Sequence, residues 1–105
     1  MGSIPKTYTD FIQKYPDLAN AYRSLGEAAS KAGPLDEKTA ALVKLALAIG
    51  ARMEGAVHSH TRKAREAGAS DDEIRHTALL ATTTLGFPTM MAALSWIEDV
   101  LEDGD

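Results

Sequence analysis

Two of the chain's three histidines, His58 and His60, lie two residues apart in a stretch rich in small and basic residues. Read as a helix from Met53 to Gly68, this stretch places His60 on a face made otherwise of small apolar side chains such as Ala56 and Ala64. A separation of two residues turns a helix by about 200°, so the side chain of His58 points elsewhere. The sequence therefore predicts that the two histidines do not share one metal ion within a subunit.

His60 is the residue best suited to acid–base chemistry. An imidazole changes charge near neutral pH, so it can accept or donate a proton under physiological conditions. A histidine on an apolar helix face either meets a polar ligand in a pocket or is partly buried and hydrogen-bonds a carbonyl. The sequence leaves both interpretations open, and we take His60 as the candidate acid–base residue and His58 as a second candidate catalytic residue.

Glu54 precedes His58 by four residues and Arg62 follows it by four, so their side chains form one row along the predicted helix. A solvated row of ion pairs explains this spacing. The same spacing would let Glu54 and His58 hold a metal ion together, but two ligands are too few for a tight site. The sequence therefore predicts no resident metal and no other cofactor, and leaves Glu54 and His58 as the candidate ligand pair if a metal is present.

Three cations, Arg62, Lys63 and Arg65, follow the histidines. A substrate that carries carboxylates needs cations to hold it, which makes Arg62 and Arg65 the candidate substrate-binding residues; the alternative is a surface helix with a solvated basic face. The cluster is too small to reverse the formal net charge of −4, which argues against binding to nucleic acid or to an acidic membrane. A small-molecule ligand and other copies of the chain are the partners that we expect.

The composition limits the class of protein. With 105 residues, 45% of them hydrophobic and 25% charged, the chain is typical of one globular domain. It contains no cysteine, which excludes disulfides, thiolate metal sites and thiol nucleophiles. No apolar run reaches the length of a membrane span and the N-terminus has no apolar signal core. We therefore expect a cytoplasmic protein.

Hydrophobic spacing predicts an all-α fold of five to six helices. Asp36 is the expected N-cap of the third helix, and Ser70 with Glu73 forms a capping box before the fifth. Residues 1–34 are predicted to be an N-terminal helical extension, and residues 35–101 to be the core region of a single domain. The predicted helices are Tyr8–Lys14, Asp17–Ala32, Glu37–Met53, Glu54–Ala67, Asp71–Leu85 and a last helix that Pro88 opens.

The predicted third helix is apolar on two sides. Leu45 and Ile49 belong to one stripe, while Val43 and Leu47 belong to another. A helix of this kind is buried at the centre of a domain or in a subunit interface. We therefore expect a central hairpin of the third and fourth helices, and a homo-oligomer in which one stripe meets another subunit.

The run from Leu35 to Leu94 resembles the carboxymuconolactone decarboxylase family, which includes the alkylhydroperoxidase D-like proteins. Four segments carry the resemblance, in matching order and spacing. The resemblance implies an all-helical bundle of the alkylhydroperoxidase D-like type, and such bundles usually assemble as trimers or hexamers. The segments are Leu35–Lys38, Glu54–Thr61, Ala67–Ala69 with Glu73-Ile74, and Leu85–Pro88.

The departures from this family pattern concern its reactive residues. Redox-active members carry a Cys-x-x-Cys pair, a histidine four residues later and a glutamate in the preceding helix. The matching positions here are Met53 and Ala56 for the cysteines, His60 for the histidine and Ala41 for the glutamate. Thiol peroxidase chemistry needs a reactive thiolate and a resolving thiol, so this chain is not expected to perform it.

The decarboxylase branch of the family acts on a small dicarboxylated lactone and needs no thiol. The resemblance therefore implies a protein that decarboxylates or binds a small carboxylated, lactone-type molecule, with His60 as acid–base residue. The alternative is a non-catalytic structural or binding homologue that has lost the thiol chemistry. The sequence leaves open whether the protein is an enzyme.

Overall fold

The structure, a computed structural model, describes residues 4–103, and its regular elements in that range are all helical. This confirms the predicted all-α fold. None of the helices in this range has the length and apolar character needed to cross a membrane. The helices are α1 (Lys6–Lys14), α2 (Pro16–Lys31), α3 (Glu37–Gly50), α4 (Glu54–Glu66), α5 (Asp71–Leu79) and α6 (Phe87–Asp103), with one turn of 3-10 helix (Leu80–Thr82) after α5.

The chain divides into a small unit that ends at Leu35 and a larger unit that begins at Asp36. The small unit contains α1 and α2, which pack against each other. Tyr15 separates the two helices, and its ring lies 6.0 Å from that of Phe11. Pro16 opens α2, where its missing N–H costs no hydrogen bond.

In the larger unit, α4 lies between α3 and α6 and packs against both. The side chains of Leu45, Ile49, Ile74 and Ile97 are fully or almost fully buried and form the centre of the core. Packing of α3 against α4 produces the predicted hairpin. α4 is thereby held between two helices that can each supply side chains to it.

The connection between α3 and α4 is longer than the sequence predicted. α3 ends at Gly50 instead of Met53, and Arg52 adopts a left-handed conformation with φ of 56°. The amide of Arg52 donates to the carbonyl of Ile49, and the amide of Met53 to that of Ala48. These two bonds form a Schellman motif, which usually has glycine where Arg52 stands.

The α4–α5 connection has a hydrogen-bonded cap at each end. Gly68 adopts the left-handed conformation with φ of 97°, and its amide donates to the carbonyl of Arg65 as α4 ends. The Ser70 hydroxyl accepts from the amide of Glu73, and the Glu73 carboxylate accepts from the amide of Ser70. The predicted capping box is therefore present, and it fixes where α5 begins.

α5 is shorter than predicted, because it ends at Leu79 and continues only as the 3-10 turn. The hydroxyl of Thr82 donates to the carbonyl of Leu79 at 2.6 Å, a local bond that competes with α-helix. Gly86 has φ of 101° and redirects the chain into α6. On α6, Met90 is buried, whereas Met91 is 46% exposed.

Candidate functional site

The buried line of α4 runs through Val57, Thr61 and Ala64. The Thr61 hydroxyl donates to the carbonyl of Val57 at 2.7 Å, so this polar group is satisfied inside the core. His60 lies one position away from this line and is half-buried. His60 lies three residues after Val57 and four before Ala64, so it is at the edge of the buried face of α4 and not at its centre.

His60 has a cationic environment. Burial lowers the pKa of its imidazole, and the positive charges of Lys63 and Lys44 lower that pKa further. Lys63 belongs to α4 and is exposed, whereas Lys44 comes from α3 and is half-buried. The imidazole is therefore neutral at pH 7 and is flanked by cations from two helices.

His58 lies in a different environment, facing α6. Its Nε2 atom lies 3.0 Å from the Oδ2 atom of Asp99 and 3.9 Å from the Oε2 atom of Glu54. The His58 side chain is only 21% exposed, so it is less solvated than the row of ion pairs that its spacing suggested. Sequence reasoning found Glu54 by its spacing but missed Asp99, because only the packing of α4 on α6 brings a residue from 41 positions further along the chain to this point.

The two arginines predicted to bind substrate interact within the chain. The Nε atom of Arg65 lies 3.5 Å from a carboxylate oxygen of Asp71 at the start of α5. Arg62 is half-buried and also interacts with its surroundings. Of the predicted cations near the histidines, Lys63 is the one that contributes charge at His60, and Lys44 joins it from outside the predicted cluster.

The positions that match the family's reactive residues carry no acid or thiol. Ala41 is half-buried on α3, Ala56 is half-buried on α4, and Met53 is 59% exposed before α4 begins. Lys44 follows Ala41 by three residues, which is close to one helical turn. The charge that α3 presents near His60 is thus positive in this chain.

Two further ion pairs hold the helices around these histidines. Arg75 on α5 donates two hydrogen bonds to the carboxylate of Glu98 on α6, at 2.7 and 3.1 Å. Lys38 on α3 donates to Glu73 on α5 at 3.0 Å. Bidentate arginine–carboxylate pairs fix orientation as well as distance, so we assign these pairs to the fold and not to chemistry.

An apolar groove of about 500 Å³ lies between α3 and the end of α5. Its walls include side chains that the structure leaves exposed, among them Leu47 at 67% and Leu80 at 63%. The second apolar stripe of α3, which holds Val43 and Leu47, is therefore open along this face. His58 and His60 do not line the groove.

Comparison with known proteins gives three matches. The sequence profile described as "Carboxymuconolactone decarboxylase family" matches residues 16–99. The crystal structure of the apo form of a carboxymuconolactone decarboxylase family protein from Legionella pneumophila is similar, with a TM-score of 0.76 and 30% identity over 91% of this chain and 86% of that one. An uncharacterized protein of Haemophilus influenzae is 38% identical over 61 residues, 58% of this chain, and the match spans about half of that protein's length (54%).

Proposed function

Because the chain belongs to the carboxymuconolactone decarboxylase family, we propose that it binds a small carboxylated, lactone-type molecule beside His60, with His60 as the group that exchanges a proton with it. The observation that carries this proposal is the pairing of a neutral imidazole with the cations Lys44 and Lys63. Cations attract the carboxylates of such a ligand, while the neutral imidazole can accept a proton. Thiol peroxidase chemistry is not part of the proposal, because the chain contains no cysteine.

The electrostatics couple ligand binding to the protonation of His60. In the free protein, burial and two cations disfavour the imidazolium form. A bound carboxylate would partly neutralise those cations and place a negative charge near the ring, which raises the pKa of His60. Binding at neutral pH should therefore draw a proton from the solvent.

The experiment is calorimetric titration with carboxymuconolactone and with succinate as a simpler dicarboxylate, in buffers of different ionisation enthalpy. We expect the wild type to bind with net proton uptake. Turnover of the lactone is measured as release of carbon dioxide. His60→Ala should abolish the proton uptake and any turnover, with little change in oligomeric mass. His76→Ala, which removes an exposed histidine on α5, is the matched control, and His58→Ala should have a much milder effect than His60→Ala.

The alternative, a non-catalytic homologue, predicts a different result. If the wild type neither binds nor converts either compound, the proposal fails. It also fails if His60→Ala binds with unchanged affinity and proton uptake. If His60→Ala unfolds or dissociates the protein while activity per folded molecule is retained, His60 has a structural role.

We also propose that the protein self-associates as a trimer or hexamer through the open face of α3. Monomeric proteins rarely leave large contiguous apolar patches in contact with water. Leu47 and Leu80 line one apolar groove and are 67% and 63% exposed, and Val43, four residues before Leu47 on α3, is 43% exposed. A second copy of the chain is the occupant that we propose for this surface, as the two-sided apolar pattern of α3 predicts.

A further inference from the structure

We infer that Glu54, His58 and Asp99 form a site for a divalent metal ion such as Zn²⁺ or Mn²⁺. One oxygen of each carboxylate and one nitrogen of the imidazole lie within 4.8 Å of one another. Glu54 and His58 lie on α4, and Asp99 comes from α6. This inference uses residues other than those of the proposed carboxylate site and does not rest on that proposal.

The separations suit ligands that share one ion. A nitrogen and an oxygen that each lie about 2.1 Å from a metal, at a tetrahedral angle, are about 3.4 Å apart. The Nε2 atom of His58 is 3.0 Å from the Asp99 oxygen and 3.9 Å from the Glu54 oxygen. These distances lie on either side of that value, and the Glu54 and Asp99 oxygens lie within 4.8 Å of each other.

An ion pair explains only part of this cluster. A protonated His58 has a single hydrogen on Nε2, and Asp99 at 3.0 Å is placed to accept it. The Glu54 oxygen, at 3.9 Å from the same nitrogen, is too far away for a hydrogen bond. A metal ion at Nε2 would bind both carboxylates directly, whereas the single Nε2 hydrogen is within hydrogen-bond distance of Asp99 alone of the two.

The charges around the cluster also favour a bound metal ion. Glu54 and Asp99 both lie within ion-pair distance of the same imidazole nitrogen, that of His58. Two carboxylates held close together repel each other unless a positive charge lies between them. A divalent ion supplies two positive charges, which match the two carboxylates when the imidazole is neutral.

The donor set indicates the type of ion. Imidazole nitrogen favours zinc and other first-row transition metals, whereas carboxylate oxygen also suits manganese and magnesium. A mixed set of one imidazole and two carboxylates therefore fits Zn²⁺ or Mn²⁺ better than Ca²⁺. The Glu54 side chain is 57% exposed, so an ion can reach the cluster from solvent. Three protein ligands leave at least one coordination position for water.

The test is direct titration of tag-free, chelator-treated protein with ZnCl₂ and, separately, with MnCl₂, followed by calorimetry. We expect one ion per chain for at least one of the two metals. His58→Ala and Asp99→Asn should each weaken binding by at least about tenfold, since even outer residues of metal sites have effects of that size. His76→Ala and His60→Ala are the matched histidine controls and should bind like the wild type.

A spectroscopic measurement keeps the test valid if His58→Ala folds poorly. Asp99→Asn and Glu54→Gln preserve side-chain volume, and circular dichroism checks their helix content. Co²⁺ bound to the wild type should give visible absorption bands that change in both of these variants. The inference is overturned if the wild type binds neither Zn²⁺ nor Mn²⁺, or if the three ligand variants bind as tightly as the controls.

Discussion

Replacing Leu47 by glutamate is expected to break up the oligomer without unfolding the subunit. Leu47 lies on the open stripe of α3 and is 67% exposed, so its side chain contributes little to the core of one chain. Glutamate is also a good helix former, so α3 should persist. The substitution therefore separates the stability of the subunit from the stability of the assembly.

The expected loss of association free energy follows from the exposed fraction of the Leu47 side chain. Full burial of a leucine side chain stabilises by about 1.5–3 kcal/mol, so covering the two-thirds of Leu47 that remains exposed contributes about 1–2 kcal/mol at each copy. Placing a carboxylate in the same interface adds a desolvation cost of several kcal/mol. A combined loss of at least about 4 kcal/mol would weaken self-association by roughly a thousandfold.

The assay is light scattering coupled to size exclusion, with sedimentation velocity over a range of micromolar concentrations. We expect the wild type at the mass of a trimer or hexamer, and Leu47→Glu at a smaller mass with unchanged circular dichroism. Leu47→Met is the matched control, because it keeps an apolar side chain of similar volume, and it should keep the wild-type mass. A monomeric wild type, or a Leu47→Glu variant with the wild-type mass, would refute the reasoning.

Two further predictions concern the larger unit. Ile74 on α5 is fully buried, so Ile74→Ala should lower the free energy of unfolding in urea by about 2–5 kcal/mol. The Met91 side chain is 46% exposed, so Met91→Ala should have a smaller effect. Equal effects of the two substitutions would contradict the placement of the core. Because the pKa of His60 in the folded protein lies below its ordinary value of 6.5, the unfolded chain takes up this proton first, so stability should fall as pH drops from about 6.5 towards the lower folded value. His60→Asn should remove that part of the pH dependence in urea unfolding at fixed protein concentration, and an unchanged slope would argue against the burial of His60.

Helix starts were predicted well from the sequence, because they depend on short-range hydrogen bonds. Asp36 accepts from the amide of Thr39, and Ser70 and Glu73 form their reciprocal pair, as the local pattern predicted. The bonds that stabilise such caps join residues only three positions apart. No knowledge of the tertiary fold was needed to identify them.

Helix ends were predicted less well, for reasons visible in single residues. Gly50 is the last residue of α3, yet the left-handed position falls on Arg52. Its guanidinium Nε donates to the hydroxyl of Thr89 at 3.2 Å, a contact from 37 residues further along that the sequence does not reveal. The run of threonines after Ala81 lowers helix propensity, but the position at which α5 gives way to a 3-10 turn depends on local hydroxyl bonds such as that of Thr82.

In the candidate site, too, local spacing predicted some features, whereas others depend on how the helices pack. Helical geometry correctly predicted that His58 and His60 point in different directions, but not which groups each would meet. Asp99 on α6 and Lys44 on α3 reach α4 only through the packing of three helices. Their charges have opposite sign, so His58 has an acidic neighbour and His60 a basic one, and our two ligand proposals rest on this difference. The resemblance to the thiol-dependent family members could predict neither side, because both residues lie outside the positions that carry the thiol chemistry.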